Sequence, residues 1–205
     1  MKILSGEVEM EQIRTFIAIE LPDEVRAGLA GIQEELKRRG EGVKWVRPEG
    51  IHLTLKFLGN VPADRIEEII RAVREACVGF SPFQLSFAGL GCFPNLRRPR
   101  VIWVGVEGET ETLARLQKAI EDNLDALGFP REKRGFSPHL TLGRVRREVG
   151  SGERRRLGQL IEATATDQLG EMVVESISVM RSDLKPTGAV YTRLAVVKLE
   201  GKGGN

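Results

Sequence analysis

KWVRPEGIHLTLKFLG (residues 44–59) and FSPHLTLGRV (residues 136–145) contain one tetrapeptide twice, His52-Leu53-Thr54-Leu55 and His139-Leu140-Thr141-Leu142. These are the chain's two histidines. From ordinary residue frequencies, the three residues after a second histidine would match those after the first with odds on the order of one in ten thousand. Residues two apart on a β-strand point the same way, so His52 and Thr54 share one face and Leu53 and Leu55 the other. The same holds for His139 and Thr141. The leucines belong in a core and each His/Thr pair belongs on the opposite face.

On either side of the two motifs, hydrophobic periodicity predicts strands over residues 13–19, 51–58, 83–90, 101–106, 139–145, 173–180 and 189–199, and helices over 22–39, 62–78, 110–127 and 151–168. Phe16, mid-strand, stands 36 residues before His52, and Trp103, also mid-strand, stands 36 before His139. Each half reads β-α-β-α-β, which predicts an α+β fold from a duplicated unit. Two pseudo-symmetric lobes result, each an antiparallel or mixed sheet with helices on one face, around a central cleft. The expected boundaries are a flexible leader at 1–12 and a single bilobal domain at 13–199, with halves near 13–95 and 96–182. The strand at 189–199 returns to the first lobe after the turn Lys185-Pro186-Thr187-Gly188, and a flexible tail occupies 200–205.

At 205 residues, 41% hydrophobic and 29% charged, the composition excludes a wholly disordered or collagen-like chain. No apolar run approaches the roughly 18 to 20 residues a membrane helix needs, and MKILSGEVEMEQ lacks the apolar middle of a secretory signal. The expectation is a cytoplasmic protein with no membrane association. Cys77 and Cys92 form no CxxC pair and read as ordinary buried thiols. Net charge is only +2, but residues 131–156 hold nine bases and three acids, a local +6 that suits either a polyanion such as RNA or a solvated surface.

Two His/Thr pairs around one space have a chemical meaning. Imidazole titrates near neutrality, so one copy can act as general base and another as general acid. Threonine hydroxyls between them can donate to the non-bridging oxygens of a phosphoryl group. Zinc would require three or four His, Cys or carboxylate ligands, so the pattern calls for no metal and no cofactor. A Ser-His-Asp arrangement would leave the duplication unexplained. Retention of both histidines as inert remnants of duplication is the remaining alternative.

The two quoted strings resemble the paired HxTx signatures of the two-histidine phosphoesterase superfamily, and more closely its RNA 2′,3′-cyclic phosphodiesterase branch, also called 2′-5′ RNA ligases. RTFIAIELP (residues 14–22), FPNLRRPRVIWVGV (93–106) and RSDLKPTGAVYTRL (181–194) are similar to that branch as well, so the resemblance covers about residues 13–199. It implies metal-independent hydrolysis of an RNA 2′,3′-cyclic phosphate to a 2′-phosphomonoester, with reversible 2′-5′ ligation as the same chemistry run with an RNA hydroxyl. It also implies His52 as proton donor, His139 as proton acceptor, and Thr54 and Thr141 as phosphate ligands. The implied partner is RNA ending in a cyclic phosphate, for example a tRNA fragment, and the protein is expected to be a monomer.

Lys56 continues the His52/Thr54 alternation toward the cleft mouth, with a solvated strand end as the alternative. Arg144 resembles an arginine that the family places near the phosphate, although strict alternation turns it away from His139 unless a bulge intervenes. Tyr191 and Arg181 are further substrate-binding candidates. Trp45, Phe57 and Trp103 can stack on a base, Phe57 falling on the leucine face and so reading as core. Arg97, Arg98 and Arg100 either follow an RNA backbone or solubilise a loop. Two other functions remain open from the residues alone: a non-catalytic RNA- or nucleotide-binding module, and a phosphodiesterase for a small cyclic phosphate nucleotide.

Overall fold

The computed structural model describes residues 10–164, 166, 168–186 and 188–201. Positions 1–9 of the expected leader, 202–205 of the expected tail and Thr187 of the expected turn lie outside the described residues. The element order is β1 (Gln12–Glu20), α1 (Asp23–Arg39), β2 (Val43–Trp45), β3 (His52–Pro62), α2 (Ile66–Cys77), β4 (Phe83–Phe93), β5 (Val101–Gly108), α3 (Thr110–Ala126), β6 (His139–Val145), α4 (Ser151–Ala163), β7 (Gly170–Val174), β8 (Ser176–Lys185) and β9 (Gly188–Lys198).

The strands form a four-stranded sheet, β3-β1-β8-β9, and a five-stranded sheet, β2-β6-β5-β4-β7. Every pairing in both is antiparallel. Sheet membership does not follow the sequence halves. The third strand of the first half, β4, pairs with β5 of the second, and β8 of the second half pairs with β1 of the first. Helices cross over in the same way: α2 and α3 pack on the four-stranded sheet, and α1 and α4 on the five-stranded one. Each lobe thus contains chain from both halves.

Local chemistry accounts for the elements. In α1, acids Asp23 and Glu24 open the helix and Lys37, Arg38 and Arg39 close it, in keeping with its dipole, while Val25, Leu29, Ile32 and Leu36 make the buried stripe. Gly28 lets that helix press against the backbone entering β7, since a Cβ there would lie 2.3 Å from the Leu169 carbonyl oxygen. Leu53, Leu55, Leu140 and Leu142 are all buried in the main core. Cys77 and Cys92 are free and buried, and burial pushes the Cys77 thiol up to about 12.

Three local differences from the sequence reading have physical causes. The helix expected over 151–168 stops at Ala163, where the Thr164 hydroxyl turns back onto the Leu160 carbonyl. The single strand expected over 173–180 is two, broken at Glu175, with β7 in one sheet and β8 in the other. The three-residue β2 is too short for periodicity to register.

Candidate functional site

His52 and Thr54 on β3, and His139 and Thr141 on β6, are half-buried while their intervening leucines are buried. Both pairs lie on the faces that the helices leave uncovered, and β3 and β6 approach each other where the lobes meet. The strands share one irregularity. Ile17 pairs with Lys56 and Ala18 with Thr54, leaving Leu55 as an extra residue; Ile102 pairs with Gly143 and Trp103 with Thr141, leaving Leu142. The fourth residue of each tetrapeptide is therefore a β-bulge, and each bulge inverts the facing of the residues C-terminal to it.

That inversion settles three side chains. Lys56 turns from the cleft to the helix side, is 2% exposed, and pairs with Glu121 of α3 at 2.5 Å while donating to the Pro130 carbonyl. It is no phosphate ligand in this arrangement; simple alternation misplaces it. Phe57, read as core, instead lies opposite Phe16 on the cleft face and is 58% exposed. Arg144 comes round to the face of His139 and Thr141, fully outside the core, and its charge reaches across to the Tyr191 hydroxyl of the other sheet.

Each imidazole sits against two aromatic rings. His52 lies 4.7 Å from Phe16 and 5.0 Å, edge-on, from Tyr191, while His139 lies 5.0 Å, edge-on, from Phe93 and 6.4 Å from Trp103. Phe16 and Trp103 are the residues that the 36-residue spacing aligns; Phe93 as a neighbour of His139 is missed, because only the strand exchange of β4 brings it there. Gly91 lies under the Trp103 indole, where a Cβ would stand 2.4 Å from the ring.

Hydrogen bonds orient both rings. His139 Nδ1 is 2.7 Å from the Ser137 carbonyl, which can only accept, so Nδ1 carries a proton and Nε2 is the nitrogen at which the ring can gain or lose one. The His52 ring donates to the Gly50 carbonyl, the same two-residue step back. Burial pushes His52 down to about 4, opposed by that carbonyl and by the Glu20 carboxylate. Glu20, opposite His52 on β1, is held below the ordinary carboxylate range by bidentate donation from Arg193, with burial opposing and Ser178 adding a further hydrogen bond. Burial raises Tyr191, against the nearby charges of Arg144 and Arg14.

The other candidates separate. Tyr191 is part of the site. Arg181 lies on the opposite face of β8 from Met180 and is tied to Glu11 and Asp183. Trp45 pairs with Gly143 and packs against the main core. The local +6 is not one free face: Arg131 pairs with Asp122 and Asp125, and Arg154 donates to the carbonyls of Pro99, Arg146 and Val149. Among the described residues no three His, Cys, Asp or Glu side chains gather as a metal site, and no helix is long and apolar enough to cross a membrane.

The description LigT-like phosphoesterase matches this chain twice, over residues 19–103 and 104–191, so that each match holds one histidine motif. The chain belongs to the LigT-like phosphoesterase family. Among curated LigT-like relatives, the RNA 2′,3′-cyclic phosphodiesterase of Methanothermobacter thermautotrophicus is 39% identical over 92% of this chain and all of its own length. The protein of that name from Thermotoga maritima is 37% identical over 92% of this chain and 97% of its own. Among solved structures, TT0787 of Thermus thermophilus superposes with a TM-score of 0.75 at 32% identity, covering 93% of this chain and 100% of that one. Escherichia coli LigT complexed with 3′-AMP shares the fold at a TM-score of 0.73 and 23% identity, covering 92% and 99%.

Proposed function

We propose that this protein hydrolyses RNA 2′,3′-cyclic phosphodiester ends to 2′-phosphomonoesters, using His139 as general base and His52 as general acid. Water attacks phosphorus as its proton passes to His139 Nε2. The P–O3′ bond breaks as His52 gives a proton to the departing 3′ oxygen, leaving a 2′-phosphate and a free 3′-hydroxyl. Thr54 and Thr141 donate to the non-bridging oxygens, and Arg144 adds a cation beside them. No step calls for a metal or cofactor.

The observation that carries the reading is the duplicated, ring-flanked His/Thr pair, with His139 Nδ1–H engaged by the Ser137 carbonyl so that proton exchange falls to Nε2. Names of relatives at 37–39% identity support the RNA cyclic phosphate as substrate. With its imidazole near 4 in the free protein, His52 is neutral at pH 7, so the acid role requires the substrate's phosphate charge to lift it. In this reading residues 13–199 are one catalytic unit, acting as a cytoplasmic monomer; the two unpaired buried cysteines suit a reducing compartment.

The test is incubation of a short RNA ending in 2′,3′-cyclic phosphate with the protein in chelator. A 2′-phosphate product is expected. A 3′-phosphate product, activity only after divalent ion is added, or tight binding without turnover would each overturn the reading, the last in favour of a binding module.

A further inference from the structure

A β-bulge leaves a backbone carbonyl out of the regular ladder, and a buried carbonyl needs a donor. The carbonyl of each bulge residue accepts from a buried glutamine; that of Leu142 accepts from the Val46 backbone N–H as well, at 2.9 Å, so the glutamine is its second donor. Gln117 Nε2, on α3, donates to the Leu55 carbonyl at 3.3 Å and to Glu121 Oε1 at 3.2 Å. Gln33 Nε2, on α1, donates to the Leu142 carbonyl at 2.8 Å and to the Val46 carbonyl at 2.8 Å. Gln33 is 1% exposed and Gln117 8%.

The correspondence is crossed. Gln33 belongs to the first half of the chain and holds the motif of the second, while Gln117 belongs to the second half and holds the motif of the first. The two N–H bonds of each amide are both used, so each bulge is tied to a second anchor: the Lys56–Glu121 pair in one lobe and the backbone leading toward His52 in the other. Where the bulge falls decides which residues enter the cleft. One residue of slippage would present Lys56 in place of Phe57, or Gly143 in place of Arg144, beside the threonine.

We infer that Gln33 and Gln117 are a pair of positioning residues, each fixing the bulge of the opposite half's histidine strand and through it the placing of the His, the Thr and the next cleft residue. The inference rests on the proposed cyclic phosphodiesterase reading for its kinetic consequence only. A displacement near 1 Å can cost an enzyme about a hundredfold in rate. Methionine matches glutamine in length and donates nothing, so it removes the tie with little change in volume.

The experiment is Gln33→Met and Gln117→Met, each read by kcat on the cyclic-phosphate RNA, by melting temperature, and by NMR of the two histidine rings in the free protein. Both variants are expected to remain folded at assay temperature with kcat down at least tenfold. Gln33→Met is expected to move the His139 ring signals more than those of His52, and Gln117→Met to do the reverse. A purely structural role would lower both signals' dispersion together. Should a Met variant not fold, the Asn variant, whose amide is withdrawn by one methylene, is read in the same way. A kcat within twofold of the parent, or the same ring moving more in both variants, would overturn the inference. Failure of the parent to cleave the RNA would overturn the functional reading instead, while the ring signals would still decide the inference.

Discussion

Lys56 and Gly143 hold the same position in two copies of one strand, the first residue beyond the bulge, and their environments are opposite in kind. In the four-stranded lobe that position opens toward α3, and a lysine fills it by pairing with Glu121. In the five-stranded lobe β2 lies alongside, and a Cβ on Gly143 would already stand 2.7 Å from Val43. The next residue differs too, an aromatic Phe57 against a cationic Arg144. Duplication supplied two identical tetrapeptides, and their surroundings made the two sides unequal: the half-buried His52 stands beside the Glu20 carboxylate and against Phe16 and Tyr191, and His139 stands against Phe93 and Trp103. An acid and a base need that inequality, because a strictly symmetric cleft offers no reason for protons to move in one direction.

If the two positions differ in this way, the greatest consequence is for stability. Lys56→Met leaves the Glu121 carboxylate buried without its cation, and removal of one partner of a buried pair costs about 3 to 5 kcal/mol. Denaturant unfolding is expected to show a loss of that size; a lysine acting at the cleft mouth would instead leave stability untouched and lower activity.

Arg144→Ala is expected to do the opposite, lowering kcat/KM about tenfold through loss of one charge-assisted contact while leaving the melting temperature within a degree or two. Unchanged kinetics would remove Arg144 from the site despite the bulge that turns it inward.

A subtler difference separates the two rings. In the free protein His52 is expected to titrate near 4, on account of its burial, and to move upward when inorganic phosphate is added. Its depressed value also has a consequence for folding: the unfolded chain takes up the proton from about pH 6.5 downward, so stability falls as pH drops from there toward 4. An NMR titration of His52 near 6.5 would contradict both statements.

Duplication, the two motif strands and the four helices were legible because each is written in local periodicity. HLTL alternates in both copies, and Phe16 and Trp103 keep the same distance to their histidines. The bulges were not legible. Leu55 and Leu142 look like ordinary core leucines, and what makes them extra residues is the neighbouring strand, β1 or β5, whose register no single strand encodes. Lys56, Phe57 and Arg144 all turn on that one feature. Exchange of β4 and β8 between the lobes is hidden for the same reason, since Phe93 reaches His139 only through pairing between distant segments. Val173 to Met180 carries no Gly or Pro to announce the break at Glu175.

In the proposed reaction His52 delivers a proton to the departing 3′ oxygen while His139 takes one from water. Two RNA ends separate these roles, one with an ordinary 2′,3′-cyclic phosphate and one with sulfur in place of the bridging 3′ oxygen, because a thiolate leaves without being protonated. On the oxygen substrate, His52→Ala and His139→Ala are each expected to lose at least about a hundredfold in kcat. On the sulfur substrate His52→Ala should recover most of that loss and His139→Ala none. Recovery by the His139 variant alone would reverse the two roles, and recovery by neither would contradict acid–base catalysis by this pair.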